Sequence, residues 1–299
     1  MRFAHLADCH LGSWRQPELR QLNLESFQKA IEICIKEKVD FVIIAGDLFD
    51  SAYPGIEILE EAFFQLKKLK DLNIPCYIIA GSHDYSASGK TFLSVLEKAG
   101  FCTNIFKPEE NQGRVFLNPT VHGNIALYGY PGKKSGLEVQ ELRNIKLQES
   151  PGLFKILALH TCIKNAVKNL PIESINEAEL PEADYYALGH LHIDYEVGKF
   201  VYAGPLFPDN FQELEELKYG TFYIVDTSSN QARKIELKLK EVEVTELEIT
   251  NALTATEKII SELKKKELKD KIVLIKLSGE LKQGKTSDIN FKQIEDFVK

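Results

Sequence analysis

The sequence predicts an α/β fold with a parallel core sheet, followed by a smaller α/β domain. Short apolar runs alternate with segments of helical periodicity in the first half of the chain, in the order strand, helix, strand, helix, strand. Parallel strands require crossover connections of this kind, so the alternation indicates a parallel sheet. After about residue 205 the composition shifts towards Lys and Glu, and we therefore predict two domains, at 1–220 and 221–299.

The elements of the first half follow from their apolar patterns. Buried strands are predicted at 3–7, 41–45 and 76–80, where apolar residues run continuously. Helices are predicted at 19–37 and 56–71, where apolar residues recur at near-helical spacing. Strand, helix and strand again are the parts of a right-handed crossover unit, which places these strands side by side.

The remainder of the chain is predicted to be richer in strands. Further strands of the first domain are predicted at 115–117, 125–130, 154–159, 185–188 and 201–203. The smaller domain is predicted to contain strand-like sequence at 221–248, a helix at 251–268, a strand at 272–277 and a helix at 288–298. No Pro-, Gly- or Ser-rich linker marks the start of this domain.

The composition is typical of a soluble globular protein, with 44% hydrophobic and 27% charged residues. No apolar run approaches the roughly 18 residues that a membrane helix needs. Asp8 interrupts the N-terminal apolar run, so we predict no targeting segment. Five scattered cysteines without a C-x-x-C pair argue against a disulfide framework and a structural zinc site. We expect a cytoplasmic or nucleoid-associated protein in a reducing compartment.

The formal net charge of −7 argues weakly against nucleic-acid binding, because phosphate contacts need cations. Two bound dications would add positive charge at the site itself, and a local basic face can exist on an acidic protein. The basic stretches 133–134 and 264–266 are interpreted as solvated surface charge.

Side chains that can bind metals recur where the predicted strands end. They are Asp8, His10, Asp47, His83, His160, His190 and His192. The carboxyl ends of strands gather at one edge of an open α/β sheet, where ligands bind. Imidazole and carboxylate suit Mn, Fe or Zn. A carboxylate can bridge two metals about 3.5–4 Å apart, a spacing that suits in-line attack on phosphorus, and Asp47 is the natural bridge.

Each of these residues also has an ordinary structural explanation. A single His at a strand end can be a solvated loop residue, and Asp8 or Asp47 can be a cap or turn residue. The whole set favours metal binding, because five of the seven histidines lie at strand ends. We interpret the other two, His5 and His122, as structural.

Spaced motifs in the chain resemble the calcineurin-like metallophosphoesterases. The family pattern D-x-H, G-D, G-N-H-D/E, H and G-H-x-H is matched in order by Asp8-x-His10, Gly46-Asp47, Gly81-Ser82-His83-Asp84, His160 and Gly189-His190-Leu191-His192. The resemblance spans about residues 1–210. It implies a core of two β-sheets flanked by helices, with a smaller α/β capping domain that contacts DNA. Within this superfamily, the stretches 5–12, 46–50 and 202–220 resemble the Mre11/SbcD nucleases of DNA double-strand-break repair.

The resemblance implies a ligand set for two divalent metals, usually manganese, although Mg, Fe or Zn remain open. One metal would be held by Asp8, His10, Asp47 and His192, and the other by Asp47, Ser82, His160 and His190. The catalytic residue would be His83, beside the phosphate, where it protonates or stabilises the leaving oxygen. The implied activity is that of a DNA nuclease, with 3′–5′ exonuclease and single-strand endonuclease action. The implied partners are DNA, a second copy of the chain and a Rad50/SbcC-type ATPase.

Two positions depart from the family pattern. Ser82 replaces the usual Asn, and a neutral hydroxyl is a poorer metal ligand than an amide oxygen. Asp50 stands where some members carry a His that helps to position DNA. Two alternative functions therefore stay open: a phosphoesterase for small phosphodiesters or nucleotides, and a catalytically weakened DNA-end scaffold. The physiological metal, the polarity of digestion and the oligomeric state also stay open.

Overall fold

The computed structural model describes residues 1–84, 91–111, 114–134, 136–167, 171–229 and 231–299. Its helices there are α1 (Pro17–Lys36), α2 (Ile56–Asp71), α3 (Phe92–Lys98), α4 (Glu138–Leu142), α5 (Lys164–Val167), α6 (Phe211–Glu216), α7 (Ala255–Leu263) and α8 (Phe291–Val298). Among the described residues, no helix has both the length and the apolar composition needed to cross a membrane.

The strands complete the mixed α/β fold that the sequence predicts, and that fold class is confirmed. The first strands are β1 (Arg2–Leu6), β2 (Phe41–Ala45), β3 (Cys76–Ile79), β4 (Thr103–Asn104), β5 (Pro108–Asn111), β6 (Arg114–Leu117), β7 (Thr120–His122), β8 (Ile125–Tyr130) and β9 (Ile145–Leu147). The later strands are β10 (Phe154–His160), β11 (Tyr185–Gly189), β12 (Tyr195–Val197), β13 (Phe200–Tyr202), β14 (Gly220–Asp226), β15 (Gln231–Leu237), β16 (Glu241–Glu248) and β17 (Lys271–Ser278).

The chain forms two compact units. The first contains Met1–Asp209 and Gly220–Leu237, and the second contains Asn210–Tyr219 and Lys238–Lys299. This division differs from the predicted boundary at residue 220. Strands β14 and β15 belong to the first unit because β14 pairs antiparallel with β1, with Ile224 opposite Ala4.

Two six-stranded sheets form the centre of the first unit. Their strand orders are β15-β14-β1-β2-β3-β4 and β12-β13-β11-β10-β8-β7. Strands β1 to β4 are parallel, and so are β8, β10, β11 and β13. The predicted parallel core is therefore confirmed, and the middle of the chain supplies a second parallel sheet. A smaller sheet has the order β5-β6-β9.

The two sheets share one buried apolar cluster. Phe41 and Ile43 of β2 belong to it together with Ile156 of β10 and Val201 of β13. Burying a side chain of this size contributes about 1.5–3 kcal/mol, so this layer is a main source of stability. Helices α1 and α2 contribute to a second cluster with residues of the first sheet, and α4 contributes to a third with residues of the other sheet.

Helix α1 shows how local sequence sets these elements. Its first position is Pro17, whose fixed φ suits a helix start. Its buried residues Leu19, Phe27 and Ile31 are spaced so that they share one face. The helix ends near Lys38, which has a φ of 53°. The predicted helix at 56–71 matches α2 at both ends.

The second unit contains a parallel pair of strands, β16 and β17, with α7 between them in the chain. Its apolar cluster includes Ile249, Ile259, Leu263 and Ile294. The predicted strand at 272–277 and the predicted helix at 288–298 correspond to β17 and α8.

Candidate metal centre

The loops that follow the central strands of the first unit converge. The backbone N–H of Asp8 donates to the carbonyl of Gly46 at 3.1 Å, and that of His10 donates to the carbonyl of Asp47 at 3.0 Å. In the other sheet, His160 at the end of β10 is paired with Gly189 at the end of β11. Carboxyl ends of parallel strands therefore bring residues far apart in sequence to one place, as predicted.

Four of the predicted site residues have left-handed backbone conformations. The φ angles are 48° for Asp8, 42° for His10, 48° for Asp47 and 96° for His190. For residues with a Cβ, this conformation costs of the order of 1 kcal/mol or more each. Hydrogen bonds hold the strained backbone, since the N–H of His190 donates to both carboxylate oxygens of Asp8 at 2.9 and 3.1 Å.

Glycines let the backbone approach these side chains closely. A Cβ on Gly46 would lie 2.1 Å from Nδ1 of His160, and a Cβ on Gly81 would lie 2.2 Å from Oδ1 of Asp47. Glycines 46, 81 and 189 precede predicted site residues, and of these three only Gly46 has a positive φ, at 91°. At the other two positions, close approach to other atoms explains the glycine.

Donor atoms of the predicted ligands form two overlapping clusters. Ligand atoms of Asp8, His10 and His192 lie within 4.8 Å of one another, and so do those of Asp8, Asp47 and His160. The Nε2 atoms of His10 and His192 are 3.0 Å apart. Donor atoms bound to one cation at about 2.1 Å, at right angles to each other, lie about 3.0 Å apart. The observed separation therefore fits two ligands of a shared cation.

The orientation of His160 gives a second test of this fit. Its Nδ1 faces the carbonyl oxygen of Ala45 at 3.0 Å. A carbonyl only accepts, so Nδ1 carries the proton and Nε2 has the lone pair in the neutral ring. This Nε2 is buried and lies 3.0 Å from Oδ2 of Asp47, with which it forms an ion pair when the ring is protonated. Such a nitrogen is suited to binding a metal ion.

Burial and mutual attraction set the pKa values of His160, Asp47 and Asp8. Burial lowers the pKa of His160, but attraction to the Asp47 carboxylate outweighs this effect and raises the pKa to about 10. Burial likewise acts to raise the pKa of Asp47, but attraction to His160 holds that pKa below its ordinary value. Burial raises the pKa of Asp8 above its ordinary value. A divalent cation would compete with the proton of His160 for the same carboxylate.

Ser82 and His190 lie at the edge of these clusters. The hydroxyl of Ser82 donates to Oδ2 of Asp47 at 3.3 Å. The ring of His190 lies 5.0 Å from that of His160, measured between centroids. Burial lowers the pKa of His190 to about 4, and the proximity of His160 adds to this effect, which keeps the His190 ring neutral at pH 7. The structure thus brings all eight predicted site residues to one region.

Asp50 has a role that the sequence analysis missed. Its Oδ1 lies 3.3 Å from Nδ1 of His10 and 3.4 Å from Nδ1 of His83, and its carbonyl oxygen lies 2.8 Å from Nδ1 of His83. The hydrogen bond to Asp50 raises the pKa of His83 to about 9. Asp50 therefore orients one predicted ligand and holds a proton on the predicted catalytic residue. The sequence signals for it are its place on the loop of Asp47 and its departure from the family pattern, but neither indicates contact with His10 and His83.

Asp84 was matched to the family motif without a role, and the structure gives it a structural one. It is 1% exposed, and its carboxylate accepts backbone hydrogen bonds from Leu48 at 3.1 Å, Phe49 at 3.0 Å and Gly81 at 3.1 Å. These bonds tie the loop after β2 to the loop after β3. Both predicted motifs therefore depend on one buried carboxylate for their relative position.

A cleft of about 540 Å³ opens beside the centre and is lined by Ser82, His83 and His190, among others. Lys133 and Lys134 also line it: Lys134 is exposed, as predicted for solvated surface charge, whereas Lys133 is half-buried and forms an ion pair with Glu141. The lysines at 264–266 do behave as surface charge, because Lys265 and Lys266 form ion pairs with neighbouring glutamates. His5 and His122 each contact a tyrosine hydroxyl at 3.0 Å, as the structural interpretation predicts.

Comparison with known proteins agrees with the motifs. Residues 1–194 match the family model described as calcineurin-like phosphoesterase. Several archaeal proteins named DNA double-strand break repair protein Mre11 are similar to the chain. That of Methanococcus maripaludis is 30% identical, with 80% of this chain and 68% of the relative covered. That of Sulfolobus acidocaldarius is 30% identical, with 93% and 75% covered.

The relative from Archaeoglobus fulgidus is 29% identical, and the match covers 64% of this chain and 46% of the relative. The chain thus spans between about half and three quarters of the length of these three relatives. The resemblance inferred from the motifs is confirmed.

Proposed function

The chain belongs to the calcineurin-like phosphoesterase family and groups with the archaeal Mre11 proteins, and from this premise we propose that it is a DNA nuclease of double-strand-break repair. Family membership establishes a metallophosphoesterase. The proposal adds that the substrate is DNA, and that the enzyme acts as a 3′–5′ exonuclease and a single-strand endonuclease. The observation that carries it is the convergence of two metal-competent clusters of predicted ligands beside a cleft that His83 lines.

Two divalent cations would be held by side chains of this chain. We assign one cation to Asp8, His10, Asp47 and His192, and the other to Asp47, Ser82, His160 and His190. Bound cations supply positive charge that polarises the phosphodiester and activates water. The mixture of imidazole and carboxylate ligands favours manganese, iron or zinc over calcium, and we propose manganese.

His83 is assigned the transfer of a proton to the leaving oxygen. Its Nδ1 is held by Asp50, so Nε2 is the nitrogen left to reach a substrate, and the ring lines the cleft. With a pKa of about 9, the ring is protonated at neutral pH. A positioned general acid of this kind accelerates a reaction by about 10²–10⁴-fold.

A second candidate function is hydrolysis of small phosphodiesters or nucleotides. The cleft volume of about 540 Å³ favours it, since this is in the range of sites for small molecules. The net charge of −7 also favours it, because DNA binding needs cations. Both functions would use the same ligands and the same proton donor.

One experiment separates these functions. The purified protein is incubated with Mn²⁺ and a 5′-labelled DNA duplex, and in parallel with bis(p-nitrophenyl) phosphate, a small phosphodiester. The His83→Ala variant is the control, because it leaves the assigned ligands intact. Mn²⁺-dependent shortening of the duplex that disappears in the variant supports the nuclease.

The other outcomes redirect the proposal. Cleavage of the small diester without cleavage of DNA supports the second candidate. If neither is cleaved, and Ser82→Asn restores cleavage, the natural chain is a weakened site with a role as a DNA-end scaffold. If neither the natural chain nor Ser82→Asn cleaves DNA or the small diester, the chain is not a phosphodiesterase.

We propose a homodimer as well. Apolar side chains on α2 are exposed, with Ile56 75% and Phe64 56% accessible, and Val95 of α3 is 46% accessible. A second copy that packs on α2 would cover the first two. Sedimentation of Phe64→Glu beside the natural protein tests this surface, with a fall to the monomer mass as the expected result.

We propose a Rad50/SbcC-type ATPase as a further partner, and a binding assay with such an ATPase would test this proposal.

A further inference from the structure

Two adjacent lysines in the cleft have different surroundings. Lys133 places its Nζ 2.5 and 2.6 Å from the two carboxylate oxygens of Glu141, and Glu141 also accepts from the hydroxyl of Tyr130. Lys134 is exposed, lines the same cleft, and makes no ion pair or hydrogen bond with any residue that the structure describes. The charge of Lys133 is therefore already neutralised, whereas that of Lys134 is available to a ligand.

The other charged residues of the cleft make this cation important. Apart from the histidines of the centre, the lining contains three carboxylates, Asp50, Glu138 and Glu173, and the two lysines. A phosphate that enters beside the centre would be repelled by the carboxylates. Among the described lining residues, Lys134 is the lysine whose charge can offset that repulsion.

The cleft has room for more than the scissile phosphate. Its volume of about 540 Å³ is within the range of about 300–1,000 Å³ for ligand sites, and a single phosphodiester group occupies a small part of it. Successive phosphates of a nucleic-acid strand lie within several ångströms of each other, so a strand bound at His83 brings a second phosphate into the same cleft.

We propose that Lys134 binds a phosphate adjacent to the scissile one, so that the site selects nucleotide strands over isolated phosphodiesters. This inference rests on the proposed function and deepens it by assigning a specificity-determining residue. Lys134 would contribute through a charge-assisted hydrogen bond to a non-bridging oxygen. Isolated diesters lack that second phosphate, so their hydrolysis would not depend on this side chain.

The test compares two substrates in four proteins: the natural chain, Lys134→Ala, Lys134→Arg and Lys98→Ala, whose lysine is exposed on α3 and does not line the cleft. The substrates are a short oligothymidylate and bis(p-nitrophenyl) phosphate, and the readout is the ratio of their kcat/KM values. We expect Lys134→Ala to lower this ratio about tenfold, the effect of losing one hydrogen bond to a charged group. Arg should retain the ratio, and the Lys98→Ala control should leave it unchanged.

The affinity for a single strand, and its dependence on salt, distinguish a phosphate contact from a merely structural role of Lys134. In Lys134→Ala, the slope of log affinity for the single strand against log salt should fall by about 0.7, the value for one lost phosphate contact. Fluorescence anisotropy of a labelled oligothymidylate measures this affinity without turnover. An unchanged slope and an unchanged ratio, or an equal loss on both substrates, would overturn the role of Lys134.

Failure of the proposed function has a different signature. If the natural chain hydrolyses the small diester but not the oligothymidylate, the nuclease proposal fails. Anisotropy then still decides the role of Lys134, because weaker binding in Lys134→Ala but not in Lys98→Ala supports it. Equal binding by all four proteins contradicts it.

Discussion

Replacing Asp50 by Asn tests whether this residue maintains the proton on His83. The Asn side chain keeps an oxygen that can accept from Nδ1 of His10, so the orientation of that ring is preserved. The negative charge near His83 is lost. The variant thus isolates the electrostatic effect of Asp50 from its effect on geometry.

The structure sets the size of the effect. A histidine with a pKa of about 9 is about 90% protonated at pH 8, but one at the ordinary value of about 6.5 is about 3% protonated. The largest expected loss is therefore about thirtyfold at pH 8 and about fourfold at pH 7. The backbone carbonyl of Asp50 still accepts from Nδ1 in the variant, which keeps the loss below these limits.

The assay is the pH dependence of kcat/KM on a phosphodiester, measured from pH 6 to pH 10. The pKa of His83 is raised in the folded protein, so its proton is present below that pKa and is lost as the pH rises through about 9. We expect the alkaline limb of the profile to move to lower pH in the variant. The control is Asp71→Asn on the exposed end of α2. An alkaline limb that stays in place would refute the assignment of the proton donor.

Three further predictions concern the loops that carry the site. Ser82→Asn should lower the Mn²⁺ concentration for half-maximal activity several-fold, because an amide oxygen is the better ligand, and unchanged metal dependence would exclude residue 82 as a ligand. Asp84→Asn should lower the free energy of unfolding by about 2–4 kcal/mol, since buried backbone donors lose a charged acceptor, and a thermal melt would show no change if these bonds were unimportant. Gly81→Ala should abolish activity because its Cβ would lie 2.2 Å from Oδ1 of Asp47, whereas Gly55→Ala, with nothing within 4 Å, is the control that should retain it.

The ligands of the candidate centre could be predicted because each follows a local pattern. Asp47 comes directly after a glycine and a continuous apolar run, and His160 ends another such run. Parallel strands then place these ends together, whatever the details of the loops. The resemblance to a known motif order added the assignment of Ser82 and His83, which composition and spacing alone do not supply.

Asp50 and Asp84 could not be predicted in the same way. Nothing local distinguishes Asp50 from an exposed aspartate, because its role arises when the loop after β3 approaches the loop after β2. The position of β14 is a similar case. Its sequence predicts strand-like structure, but its place beside β1 depends on pairing between residues about 220 positions apart, for example Ala4 and Ile224.

The left-handed residues of the site are predicted from local patterns, but their conformation depends on tertiary structure. Asp8, His10, Asp47 and His190 each adopt a conformation that their own side chains disfavour, at a combined cost of several kcal/mol. That cost is comparable to a substantial part of the 5–15 kcal/mol that typically separates folded from unfolded proteins. Local sequence cannot stabilise such a geometry, so the two packed sheets must impose it. Four predicted ligands with this conformation in one site is the pattern expected when a backbone is held for chemistry instead of for stability, whereas Lys38 and Asn73 adopt it singly, each just after a helix.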